Sequence, residues 1–183
     1  MSYIIEPELS DKEYEYREYI FEHIKNVEIV HKELLSYLVA NNVDLATRKI
    51  LERNIAFHDR TKGKAREFYG YRKKFYPEEN ENKEEANEAF SFAWNHHQKT
   101  NRHHWEYWVL IKDSGTVSAL EMPLVYVLEM MCDWCAMSLK FSNLPSQWHQ
   151  DNSGRIFVHE KTNILIKKWL HIFDKIYLKI HGI

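Results

Sequence analysis

Two acids, Glu129 and Asp133, stand alone in an apolar run, Met122 to Leu139 (MPLVYVLEMMCDWCAMSL). Four residues apart, they stack on one face of a helix. A helix that is apolar on all sides is a buried one, and a buried carboxylate is costly unless something pairs with it. A metal ion, an Arg or Lys, or a histidine could do so; a structural ion pair or a bond to a backbone amide is the plainer alternative. Histidine is the composition's outlier, at 11 of 183 residues. His58-Asp59 closes an apolar segment, His97 continues an apolar stripe, and His23 and His31 flank another. Two adjacent pairs, His96-His97 and His103-His104, follow. Taken singly, each suits a hydrogen-bonded core position or a solvated turn, and a histidine at a helix C-terminus is favoured by the dipole. Neighbours on a helix point about 100° apart, so only one of each pair can face a given site. The stripe favours His97 over His96.

Helices must position these groups. Ser10 and Glu13 form a capping box. Ile20, Ile24, Val27, His31, Leu34 and Leu38 then recur at helical spacing until Asn41-Asn42. A second helix is expected over about Leu45–Phe57 with Ile50, Leu51 and Ile55 inward, and a third over about Ala65–Tyr76. Between them His58 to Gly63 reads as a turn. The polar stretch Pro77 to Lys83 reads as a surface loop. A fourth helix carries Ala86, Phe90, Ala93 and His97. Ser118 with Glu121 resembles a second capping box, which would open the buried helix that runs to about Leu139, with Pro123 near its first turn. Ser142 to Gly154 is expected to be a loop, and about Lys161–Ile180 a last amphipathic helix. The expectation is an all-α, compact bundle of five to six main helices, with no strand, in a single domain over residues 1–183.

Composition agrees with this. Five glycines and four prolines in 183 residues fall well below the usual ~7% and ~5%, too few for the turns of an all-β sandwich. A net charge of −2 gives no strong nucleic-acid signal. Two cysteines make no disulfide framework. No run of 18 residues is apolar and uncharged, so no membrane span is expected. The first twenty residues lack the basic start and apolar core of a secretory leader. A cytoplasmic protein is therefore expected.

Along the chain, a His on an early helix is followed by His-Asp at a helix end, then further histidines, then an Asp on a late buried helix. This order resembles the HD-domain superfamily of metal-dependent phosphohydrolases, which are all-helical. The strings EYIFEHIKNV (Glu18 to Val27), HDRTKGKAREFYGY (His58 to Tyr71), AWNHHQKTNRHHW (Ala93 to Trp105) and EMMCDWCAMS (Glu129 to Ser138) are also similar to a family of uncharacterised phage and bacterial proteins. The superfamily resemblance implies a ligand set of His23, His58, Asp59, His97, His104 and Asp133, with His103 as the alternative to His104 and His31 the alternative to His23. It implies one or two divalent transition-metal ions, bridged by Asp59. Imidazole and carboxylate donors without thiolate suit Mn, Fe, Co, Ni or Zn.

The function implied is hydrolysis of a phosphoester in a nucleotide or related small molecule. Asp59, Glu129 and Lys62 form the expected catalytic set, with Glu129 orienting a ligand histidine or accepting a proton. Arg60, Lys62, Lys99 and Arg102 are candidates to hold the substrate phosphate, and each could equally be a solvated surface residue. Trp94, Trp105, Trp108 and Trp134 could wall a cavity and stack a base, although core packing accounts for most such rings. Two other readings stand beside this one. A di-iron version of the same ligands would run oxygen chemistry, and a metal or buried His–carboxylate network could simply hold together a non-enzymatic binding protein. Homo-oligomers are open. Cys132-x-x-Cys135 lies mid-helix, without the strand-to-helix junction of a redox motif or a second thiolate pair for zinc, so packing is its expected role.

Overall fold

A computed structural model describes residues 9–183; residues 1–8, part of the stretch read against a leader, lie outside it. Among the described residues the chain forms seven α-helices: α1 (Asp11–Ala40), α2 (Leu45–Ala56), α3 (Ala65–Phe75), α4 (Lys83–Thr100), α5 (Leu124–Phe141), α6 (Pro145–Asn152) and α7 (Glu160–His181). Two three-residue strands, β1 (Val109–Ile111) and β2 (Val117–Ala119), form an antiparallel hairpin. The fold is all-α. No described helix is long and apolar enough to cross a membrane.

The chain divides into two compact units. One contains residues 9–22 together with Arg60–His97, and the other contains His23–Asp59 and Gln98–Ile183. In the first, Tyr16 of α1 packs against Phe68 and Tyr71 of α3, with ring centroids 5.0 and 6.4 Å apart. Helix α4 approaches α3 at Gly70. A Cβ there would lie 2.6 Å from the Ala89 carbonyl oxygen and 2.6 Å from the Ala93 Cβ, so only glycine permits this spacing. The Ser10–Glu13 box starts α1 as expected: Glu13 N–H donates to Ser10 Oγ (3.2 Å) and Ser10 N–H to Glu13 Oε2 (3.1 Å).

The second unit has the larger core. Val27, Leu34 and Leu38 of α1, Leu51 and Ile55 of α2, Leu128 and Met131 of α5, and Ile166, Trp169 and Phe173 of α7 share one buried cluster. Helix α5 packs against both α2 and α7. Its burial on several sides follows from its composition, since apolar residues occupy nearly every position.

Four expectations need correction. Ser118 does not cap α5. It pairs with Leu110 in the hairpin, whose turn uses Gly115 at φ +79°, and α5 begins six residues later, after Pro123. The strands were hidden because three-residue runs carry too little alternation to show. The Ser142 to Gly154 stretch contains α6, whose polar composition masks it. Pro145 at its first turn needs no donor partner, and Ser146 N–H donates to Asp174 Oδ1 of α7 at 2.9 Å. Finally, Ile50 is exposed rather than inward, while Leu51 and Ile55 are buried.

Candidate metal centre

The site is built in the second unit around the exit of α2. Asp44 caps that helix by accepting from Thr47 N–H (2.9 Å) and Thr47 Oγ1 (2.6 Å). At the other end Phe57 N–H and His58 N–H close on the carbonyls of Asn54 (3.0 Å) and Ile55 (3.1 Å). Asp59 then takes a left-handed backbone, φ +54°, which Asp tolerates better than most side chains. The chain leaves the helix there. Consecutive side chains can therefore converge, and His58 Nε2 lies 3.7 Å from Asp59 Oδ2.

His23, from α1, continues the buried stripe of Val27, Leu34 and Leu38 one turn earlier. Its Nε2 is 3.4 Å from Asp59 Oδ2 and 3.1 Å from Asp133 Oδ1. His58 Nε2 is 4.0 Å from the same Asp133 oxygen. The two His23 separations match the edges of one coordination shell, and the two from His58 are wider. Ligand bonds of ~2.0–2.2 Å give neighbouring ligand atoms about 3.0 Å apart at right angles and about 3.4 Å at tetrahedral angles. His23, His58 and Asp133 together offer ligand atoms within 4.8 Å of one another. Asp59 uses its second oxygen elsewhere: Oδ1 is 3.5 Å from His103 Nε2, and Asp59, His103 and His104 also offer ligand atoms within 4.8 Å of one another. One carboxylate thus faces two groups of histidines.

Glu129 lies behind the rings. Its Oε1 is 3.1 Å from His103 Nδ1 and 3.4 Å from His58 Nδ1, while Oε2 accepts from Asn54 Nδ2 at 2.9 Å. Burial pushes the Glu129 carboxyl up, but hydrogen bonds from His103 and His58, with their charge, outweigh it and hold it down at about 2. An ionised carboxylate only accepts, so each Nδ1 facing Glu129 is a donor; in a neutral ring that leaves Nε2 with a lone pair. His58 Nε2 is buried with no hydrogen-bond partner among the described residues, and it looks toward two carboxylates. A proton on a ring or a cation between them would relieve the repulsion of such groups, and the donor set fits a cation. Burial also opposes ionisation of Asp133, yet His23, through a hydrogen bond and its charge, and His58 hold it well below the ordinary carboxylate range. The residues form buried clusters that could hold a metal ion.

The remaining expected residues divide between the units. His103 is buried and touches both Asp59 and Glu129, whereas His104 is half-buried, its Nδ1 3.7 Å from Glu106 Oε2. The preference for His104 over His103 therefore changes: His103 takes the central place and His104 stands beside it. Of the other pair, His97 is the inward ring, fully buried in the first unit with Nδ1 2.8 Å from Glu67 Oε2. His96 Nδ1 meets Glu67 Oε1 at 2.5 Å. Burial raises the Glu67 carboxyl, but the bonds from His97, His96 and Thr61 and the His97 charge bring it below its ordinary value. His31 is buried on α1, two turns beyond His23, and burial lowers its basicity against the pull of Glu52.

Among the cations, Arg60 and Lys62 belong to the short 3-10 turn Arg60–Gly63 of the first unit, where the Lys62 ammonium lies 5.5 Å from the Tyr71 ring centre. Lys99 donates to the Glu106 carbonyl at 2.8 Å. Arg102 donates to Tyr126 Oη at 3.0 Å, and its guanidinium lies 5.8 Å from the ring centres of Tyr107 and Tyr126. Sequence reasoning missed Asn54 and Glu67. Asn54 lies one helical turn before His58 and could have been found from that spacing, but Glu67 carried no local signal.

A model of a family of unknown function (DUF5662) matches residues 12–175, a span that takes in all of these groups. No curated protein and no solved structure matches the chain.

Proposed function

We propose that this chain, which belongs to the family of unknown function DUF5662, is an HD-like metal-dependent phosphohydrolase acting on a nucleotide or related small phosphoester. The observation that carries the reading is the placement of Asp59, with one oxygen toward His23 and His58 and the other toward His103. Two ions sharing one carboxylate would use it in this way. Imidazole and carboxylate donors without a thiolate favour Mn, Fe, Co, Ni or Zn.

When bound, such an ion supplies an acidified water and positive charge for phosphoryl oxygens. The chain's own groups do the rest. Glu129 holds the His58 and His103 rings with Nε2 toward the acids. The His23, His58 and Asp59 side chains are 3%, 0% and 1% exposed, whereas Asp133 keeps 14%, so the ligand set is least covered on the Asp133 side. Arg102 follows directly before His103 in the chain. It is exposed and braced by two tyrosines, which suits it to hold a substrate phosphate.

The test is metal analysis of the purified protein, before and after addition of Mn, Fe or Zn, followed by a panel of mono-, di-, tri- and cyclic nucleotides assayed with Mn or Co. At least one stoichiometric ion, lost in Asp59→Asn and His58→Ala with the fold intact, is expected, together with turnover of at least one nucleotide. A substoichiometric ion in the wild-type protein refutes the metal reading. A full ion without any turnover refutes the hydrolase.

A further inference from the structure

Asn54 is absent from every ligand or substrate role above, yet it makes a part-buried hydrogen bond to the site. It lies on α2 four residues before His58, hence on the same face. Its amide Nδ2 donates to Glu129 Oε2 at 2.9 Å, and the two His Nδ1 atoms share Oε1 at 3.1 and 3.4 Å. The carboxylate thus takes three donors, sorted by oxygen: the amide on one, both rings on the other. Without the amide, Oε2 would be an equally good acceptor, and rotation about the carboxylate would let each ring choose a different oxygen or turn away. His58 and His103 must point their Nε2 atoms at different oxygens of Asp59 while sharing one anchor, so a small rotation misplaces both. Their rings are close-packed, with centroids 4.3 Å apart, and one cannot turn without the other.

We propose that Asn54 is a positioning residue that fixes, through Glu129, the proton placement and ring orientation of His58 and His103 for metal binding. This rests on the metal reading above. Groups behind ligand histidines typically change metal affinity 10–100-fold when removed.

The test uses full-length protein with 15N-labelled histidine. Long-range proton–nitrogen correlation in the metal-free state reports which ring nitrogen carries the proton, and calorimetric titration with Zn2+ alone reports affinity. Wild-type protein is expected to show His58 and His103 as Nδ1–H tautomers. Asn54→Leu, which keeps the approximate shape but removes the donor, and Asn54→Ala are expected to give mixed tautomers and Zn2+ binding 10–100-fold weaker, with metal-free melting still cooperative. Wild-type tautomer signals and wild-type Zn2+ affinity in both variants would overturn the proposal, as would Nε2–H tautomers in the wild-type protein itself, which needs no variant to fold. Absence of Zn2+ binding by the wild type would sink the metal reading instead, and the tautomer signals of the variants would still decide whether Asn54 sets the rings.

Discussion

Replacing Glu129 with Gln should destabilise the metal-free protein at neutral pH and flatten its response to acid. The folded carboxyl sits at about 2, against an ordinary value of 4.5. That gap is worth about 3 kcal/mol of stability. Because the folded value is the lower one, the contribution is complete above about 4.5 and is lost as pH falls toward and through 2. By pH 3 roughly 2 kcal/mol of it has gone. The hydrogen bonds give a second route to the magnitude. Three donors, from His58, His103 and Asn54, meet the carboxylate, and a bond to a charged group exceeds a neutral one by about 1 kcal/mol. Both routes reach about 3 kcal/mol. Urea denaturation with a chelator present, at pH 7 and pH 3, measures it. Glu129→Gln should be about 3 kcal/mol less stable than wild type at pH 7 and only about 1 kcal/mol less stable at pH 3. No difference at pH 7, or a gap of equal size at both pH values, would refute the reasoning.

Gly70→Ala should lower stability by about 1–3 kcal/mol, since its methyl group must displace the Ala89 carbonyl and the Ala93 side chain; an unchanged melting temperature would contradict the packing of α3 on α4. Cys132 and Cys135 should stay unreactive toward a thiol reagent until the chain unfolds. Both are buried, and burial pushes the Cys135 thiol up to about 12; rapid labelling of the native protein would contradict this. Arg102→Ala should raise the KM of a phosphorylated substrate by roughly 10–100-fold, the worth of a charge-assisted hydrogen bond, while Zn2+ content stays at the wild-type level; an unchanged KM would remove Arg102 from the substrate site.

The helices and the centre were legible to different degrees, for physical reasons. Helix α1 announced itself through its capping box and a stripe that His23 flanks, and α5 through two acids in an apolar run. The adjacency of His58 and Asp59 was visible, but their convergence depends on a left-handed backbone at Asp59, which no pattern of residue types encodes. The choice of His103 over His104 was equally hidden, because it depends on how the chain turns after Asn101 and not on helical phase. Glu129 could be read as a partner for a histidine, but its service to two rings at once required α2, α5 and the His103 turn to meet. Helix α6 and the hairpin were missed because their stability comes from neighbours: Asp174 supplies the acceptor for the start of α6, and β1 and β2 exist only as a pair.

The positive φ at Asp59 separates two demands that usually fall together. Asn and Gly also accept that backbone, whereas Val, Ile or Thr would be forced out of it. A saturation library at this single codon should therefore sort into two tiers, with a few residues preserving the folded chain and only the acid among them binding the proposed ion. Position 59 is a place where selection for architecture and selection for chemistry can be told apart by counting survivors.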